Sequence, residues 1–113
     1  MLAALTRVAV AAERWEEASD LLLERARAAA GPEQVALLGQ LADVLLQHLH
    51  SPAAAADVYR EAIGLAAPDQ RARLLARLAE ALGEAGDVPG QAAALADLSA
   101  ARDEAAEAAR AAR

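Results

Sequence analysis

The sequence predicts an all-α protein: six helices paired as three antiparallel helix-turn-helix hairpins. Composition is the first of three observations behind this. Of 113 residues 57% are hydrophobic, yet most of these are alanine and leucine, with one Trp, one Tyr and no Phe. Ala and Leu lead the helix propensities, and the β-branched and aromatic residues that favour strands are scarce. The second is spacing: Leu37, Leu38, Leu41, Leu45 and Leu49 recur at intervals of three and four, which sets them on one face of a helix. The third is repetition. LLGQLADVL from Leu37 aligns without a gap to LLARLAEAL from Leu74 at a period of 37, and GPEQ at Gly31 matches APDQ at Ala67 at 36. A supersecondary unit repeated at such a period cannot bury its apolar faces alone, so the units stack as a short solenoid.

The elements follow in order. Residues 1–12 carry Leu2, Leu5, Val8, Ala9 and Ala12 on one side, and Glu13 and Arg14 mark a turn. From Arg14 to Ala30, Trp15, Ala18, Leu21 and Leu22 form an apolar stripe opposite Glu16, Glu17, Asp20, Glu24 and Arg27. Trp15 is expected to pack the turn of this first hairpin. Gly31 and Pro32 then close one helix and open the next, Gly tolerating a left-handed backbone and Pro suiting a first turn. The central pair spans Leu37 to Pro68. Ser51 is placed to cap the fourth helix ahead of Pro52, and Ala55, Tyr59, Ala62 and Ile63 form its inner face. Tyr59 should lie between the central helices, with Ala55 at their closest approach. Ala67 and Pro68 repeat the punctuation before a fifth helix, Asp69 to Glu84, on Leu74, Leu75, Leu78 and Leu82. Gly86 ends it, and Asp87 caps a sixth helix that uses Ala92, Leu95 and Leu98 on its buried side. From Ala100 no large apolar residue remains. Residues 1–101 are therefore one repeat domain, and residues 102–113 an Ala-, Arg- and Glu-rich helical extension, acids first and arginines last, as the helix dipole favours.

Charge and composition exclude several functions. The net charge is −6, and all eleven basic residues are Arg. Such a surface is a poor partner for nucleic acid, which needs a basic patch to displace counterions. No stretch approaches the ~18 uninterrupted apolar residues of a membrane span. The opening run lacks a basic residue ahead of it and is broken by Arg7, so it reads as a helix and not a leader; a soluble, cytoplasmic protein is expected. The absence of Cys rules out disulfides and thiolate chemistry. His48 and His50, the only imidazoles, are two residues apart and point to different sides of a helix, so no shared metal is expected. Ser19, Ser51 and Ser99 have no neighbouring base, and no Gly-rich phosphate loop occurs. The Glu16, Glu17, Asp20 and Glu24 cluster reads as a solvated face, since calcium loops need oxygens around a turn. Neither catalysis nor a cofactor is expected. The absence of Lys beside heavy Ala and Arg use points to a GC-rich genome.

These residues resemble the tetratricopeptide repeat, which has a Leu followed by a small residue in its first helix, then a small residue, an aromatic four later, an Ala three further on, and a closing Pro. Leu41 with Ala42, Ala55, Tyr59, Ala62 and Pro68 occupy those places in the central unit. Leu78, Ala79, Leu82, Gly86 and Asp87 match in the third, with Gln91 or Ala92 for the small residue and Leu95 for the aromatic. The first unit matches through Leu5, Trp15, Ala18 and Leu22, although Thr6 stands where Gly or Ala is usual, and the repeats run two or three residues longer than the family's. The likeness spans Leu2 to about Ser99 and is most similar to bacterial scaffold arrays.

The resemblance implies a right-handed superhelix that binds a protein or peptide segment on a concave face lined by the first helix of each pair. Registered on the leucines, that face carries Arg7, then Gln40, Asp43 and Gln47, then Arg73, Arg77, Glu80 and Glu84. Arg73 and Arg77 stand at the family's two basic places for clamping a terminal carboxylate. Gln40 replaces its Asn, and the first unit offers Ala3 and Arg7, so a complete clamp is not expected. Arg77 is the expected anchor for an acidic group on a partner. The alternative reading is a structural piece of a longer array, or a regulatory arm, that packs on itself or on adjacent repeats. Leu2, Leu5 and Val8 favour it, and self-association through the first helix is expected.

Overall fold

The computed structural model describes residues 2–111, and within them every regular element is an α-helix. The helices are α1 (Leu2–Ala11), α2 (Trp15–Ala28), α3 (Gly31–Gln47), α4 (Pro52–Leu65), α5 (Pro68–Glu84) and α6 (Val88–Ala111). Met1 in the expected first helix, and residues 112 and 113 of the expected extension, lie outside the described residues. Each helix packs mainly on its neighbours in sequence, α1 on α2 through to α5 on α6. The shortest dimension of the molecule is 20 Å. That is about two helix diameters.

The turns form where the sequence places special backbone. Glu13 adopts φ 57°, Gly31 66° and Gly86 81°. The two glycines take a left-handed backbone that residues with a side chain adopt only under strain. Pro32, Pro52 and Pro68 all fall in first turns, where their missing N–H leaves no orphan. Asp87 caps α6 by accepting the Gly90 N–H at 3.0 Å. A Cβ on Gly90 would meet the Asp87 carboxylate, which would have to shift to admit it. Ser51 does not cap α4. Its hydroxyl donates instead to the Leu49 carbonyl at 3.2 Å, in a turn where His50 takes φ 51°.

One core runs through the stack. α3 and α5 each lie between two other helices, and each buries leucines on more than one face: Leu37, Leu38 and Leu41, then Leu74, Leu75, Leu78 and Leu82. Between them Tyr59 is wholly buried beside Ala55 and Ala62, as the large-small alternation predicts. Leu22 plays the same part in α2 over Ala18 and Ala26. A side chain of that size removed fully from water stabilises by about 1.5 to 3 kcal/mol.

The packing of α1, α2 and α6 bears on the sequence expectations, and that for α6 is corrected. α1 buries Thr6 and Ala9, with Leu2 half-buried, while Leu5, Val8 and Ala12 are exposed, because among the described helices α2 supplies most of its packing. Thr6 is accommodated because its hydroxyl donates to the Leu2 carbonyl at 2.7 Å. Trp15 reaches beyond its own hairpin. It stacks on His48, at the far end of α3, with ring centroids 3.6 Å apart and planes 7° from parallel. In α6 the buried residues are Ala94, Leu98 and Ala101, whereas Ala92 and Leu95 face solvent. The turn before α6 is one residue shorter than that before α4, and each residue rotates a helix by about 100°. Gln91 also lies across Gly83, where α5 offers no side chain. α6 continues unbroken past residue 101, with Ala105 half-buried and residues 106–111 exposed.

Candidate functional site: a groove between α3 and α5

The groove arises because α3 and α5 stand side by side with α4 behind them. Val35, Ala36, Gly39, Gln40 and Asp43 form one wall, and Asp69, Gln70, Arg73, Leu74 and Arg77 the other. Tyr59 forms the floor, and the volume is about 750 Å³. Small residues keep the α3 wall low. At Gly39 a Cβ would still sit 3.7 Å from Leu74 Cδ2, so nothing but the absence of a larger side chain holds the groove open there.

The floor is joined electrostatically to the wall. The Tyr59 hydroxyl donates a hydrogen bond to Asp43 Oδ1. Burial pushes the phenol well above its ordinary value, and the hydrogen bond and negative charge of Asp43 push it further; Arg77 opposes them weakly. Tyr59 therefore stays protonated and holds Asp43 in a fixed orientation. The two arginines differ. Arg77 Nη1 lies 3.4 Å from Glu80 Oε2 and is bound to its own helix. Arg73, exposed on the same wall, makes no ion pair among the described residues. It is the groove's uncommitted cation.

Of the residues expected on a binding face, the structure gathers Gln40, Asp43, Arg73 and Arg77 here. Glu80 stands beyond the groove as the partner of Arg77. Gln47 and Glu84 lie exposed at the C-terminal ends of α3 and α5, and Arg7 is exposed on α1, outside the lining. Sequence reasoning missed Gly39, Asp69, Gln70 and the Tyr59 hydroxyl. Gly39 was visible as the place where LLGQ departs from LLAR. Asp69 and Gln70 were hidden in the turn punctuation, because the equivalent Gln34 serves structure by donating to the Ala26 carbonyl at 3.1 Å. His48 and His50 occupy the α3–α4 turn, His48 engaged by Trp15.

No described helix is long and apolar enough to cross a membrane. Comparison of the chain with family models, curated proteins and solved structures found no match.

Proposed function

We propose that this protein is a non-catalytic interaction scaffold whose α3–α5 groove receives a segment of another protein carrying an acidic side chain or terminal carboxylate. The uncommitted guanidinium of Arg73, in a groove whose other arginine is already paired, is the observation that carries this reading. Guanidinium grips a carboxylate through two parallel hydrogen bonds, which Lys does not reproduce. Gln40 and Gln70 supply neutral donors and acceptors on the opposite and adjacent positions. Asp43 and Asp69 repel further acids, restricting which segments are accepted.

The same reading takes the hairpins as tetratricopeptide-like repeats in a right-handed superhelix, of the kind that bacterial scaffolds use. The 37-residue period supports it, as do the alike burial of Leu41 with Ala42 and Leu78 with Ala79, and a groove lined by the first helices of successive hairpins. The test is selection from a displayed peptide library, followed by titration of the winning peptides against wild type, Arg73→Glu and Arg77→Glu. Acid-bearing peptides that lose at least tenfold in affinity with Arg73→Glu, and far less with Arg77→Glu, meet the expectation. Peptides without acids, or binding indifferent to Arg73, overturn it.

A second reading is a structural element that packs on itself or on adjacent repeats. The solvent exposure of Leu5 and Val8 favours it.

A further inference from the structure

The exposed apolar residues at the two ends of the stack occupy positions that the interior repeats bury. Registered on Thr6, Ala42 and Ala79, all buried, Leu5 of α1 corresponds to Leu41 of α3 and Leu78 of α5. In the same register Val8 corresponds to Val44 and Ala81. The four interior residues are buried, whereas Leu5 is 46% and Val8 60% exposed. Among the described residues α3 and α5 each pack on the helix before them, α2 and α4 respectively, and α1 packs mainly on α2. Leu5 and Val8 thus mark the face that a preceding second helix covers.

The other end shows the complement. Ala55, Tyr59 and Ala62 of α4 correspond to Ala94, Leu98 and Ala101 of α6, with identical spacing and burial. Ala56 is buried in α4, which has α5 after it. Its counterpart Leu95 in α6, which among the described residues packs mainly on α5, is 49% exposed. Leu95 marks the face that a following first helix covers.

We infer that the occupant of each face is a second copy of this chain, joined head to tail, with α6 of one copy against α1 of the next as α2 lies against α3 and α4 against α5. Charge selects the same two surfaces. The chain carries −6, which opposes self-contact over most of its surface, but α1 holds one charged residue, Arg7, and residues 88–96 hold none. The contact is heterologous, so one copy leaves both ends open and assembly proceeds past the dimer. This rests on the second reading above, that the protein packs on itself, and adds which surfaces meet.

The test is sedimentation velocity over a concentration series on the full chain. Four samples are compared: wild type, Leu5→Glu/Val8→Glu, Leu95→Glu, and an equimolar mixture of the two variants. Wild type should grow through dimer to larger species as concentration rises. Each variant alone should remain at the 11.6 kDa monomer mass, and the mixture should stop at twice that mass, since it retains one intact α6 face and one intact α1 face. The substituted side chains are exposed, so circular dichroism should be unchanged; Leu5→Ser/Val8→Ser and Leu95→Ser replace any variant that loses helix. A Leu95 variant that assembles like wild type, with the α1 variant monomeric, would mean α1 meets α1 and overturns the head-to-tail arrangement while keeping self-packing. Wild type that stays monomeric throughout overturns both.

Discussion

Tyr59 and Asp43, on antiparallel neighbours α4 and α3, connect the core to the groove: the ring is wholly buried, and its hydroxyl donates to a carboxylate on the groove wall. One side chain thus serves packing and the orientation of a surface charge, and substitutions can separate these roles.

Tyr59→Ala should destabilise by about 3 to 5 kcal/mol, through lost transfer energy and the cavity left behind. Tyr59→Phe keeps the ring and removes the donor to a carboxylate, costing about 1.5 to 3 kcal/mol. Ala55→Leu, overpacking the same contact, should cost roughly 1 to 3 kcal/mol. Urea denaturation monitored by circular dichroism ranks the three, and a Tyr59→Phe variant as stable as the parent would contradict the role given to the hydroxyl.

Alkaline pH should destabilise the protein through this one group. Unfolded Tyr loses its proton near pH 10, while the folded state holds the proton to higher pH because of burial and Asp43. The unfolded state therefore binds fewer protons there, so stability falls as pH rises. The contribution is complete below about pH 10 and is lost as pH climbs toward the raised folded value. The chain has no Lys, no Cys and one Tyr, so Tyr59 is the one side chain of the Lys, Cys and Tyr kind that could lose a proton in the alkaline range. Tyrosinate absorbance should rise together with loss of helical signal, and Tyr59→Phe should flatten the decline in melting temperature above pH 10.

Gly39 separates stability from binding. Gly39→Ala should stabilise by about 0.5 to 1 kcal/mol, the usual gain for removing glycine from a helix, since its Cβ meets Leu74 at ordinary contact distance. Gly39→Leu should keep the fold and obstruct the groove, abolishing binding of peptides that wild type holds. Thermal melts paired with peptide titration read both effects.

The two expected caps should respond differently to alanine. Asp87→Ala removes a bond that is made and should cost roughly 0.5 to 2 kcal/mol. Ser51→Ala removes a hydroxyl that caps nothing and should stay within about 0.5 kcal/mol. Equal losses in chemical denaturation would contradict the distinction.

What was legible in the sequence tracks contrast between neighbouring residues. α5 was readable because Leu74, Leu75, Leu78 and Leu82 stand among Arg and Glu. α6 was not, because alanine occupies nearly every phase between Gln91 and Ala101 and gives no sign of which face turns inward. The usable signal was the spacing of Ala55, Tyr59 and Ala62, which returns as Ala94, Leu98 and Ala101. In α1 the uncovered apolar side was legible, since Leu5 and Val8 are exposed as expected. In the groove, Arg73 and Arg77 each have an acid within one helical turn. An acid four residues ahead of a base is the better helical pair, which favours Asp69 with Arg73, yet the structure pairs Arg77 with Glu80. Sequence spacing alone does not rank the two, and the anchor moves from the expected Arg77 to Arg73.

Because each helix rests chiefly on the helices beside it in sequence, folding requires no distant segments to meet first. Chains with such local contacts fold quickly, and structure can begin in any hairpin and spread to the next. Among the described residues α2, α3, α4 and α5 are flanked on both sides, whereas α1 and α6 are held mainly on one. Native-state amide exchange should accordingly be slowest in the middle of the chain and quicken toward both ends, and local opening at either end leaves the Tyr59 floor and the walls of the groove intact.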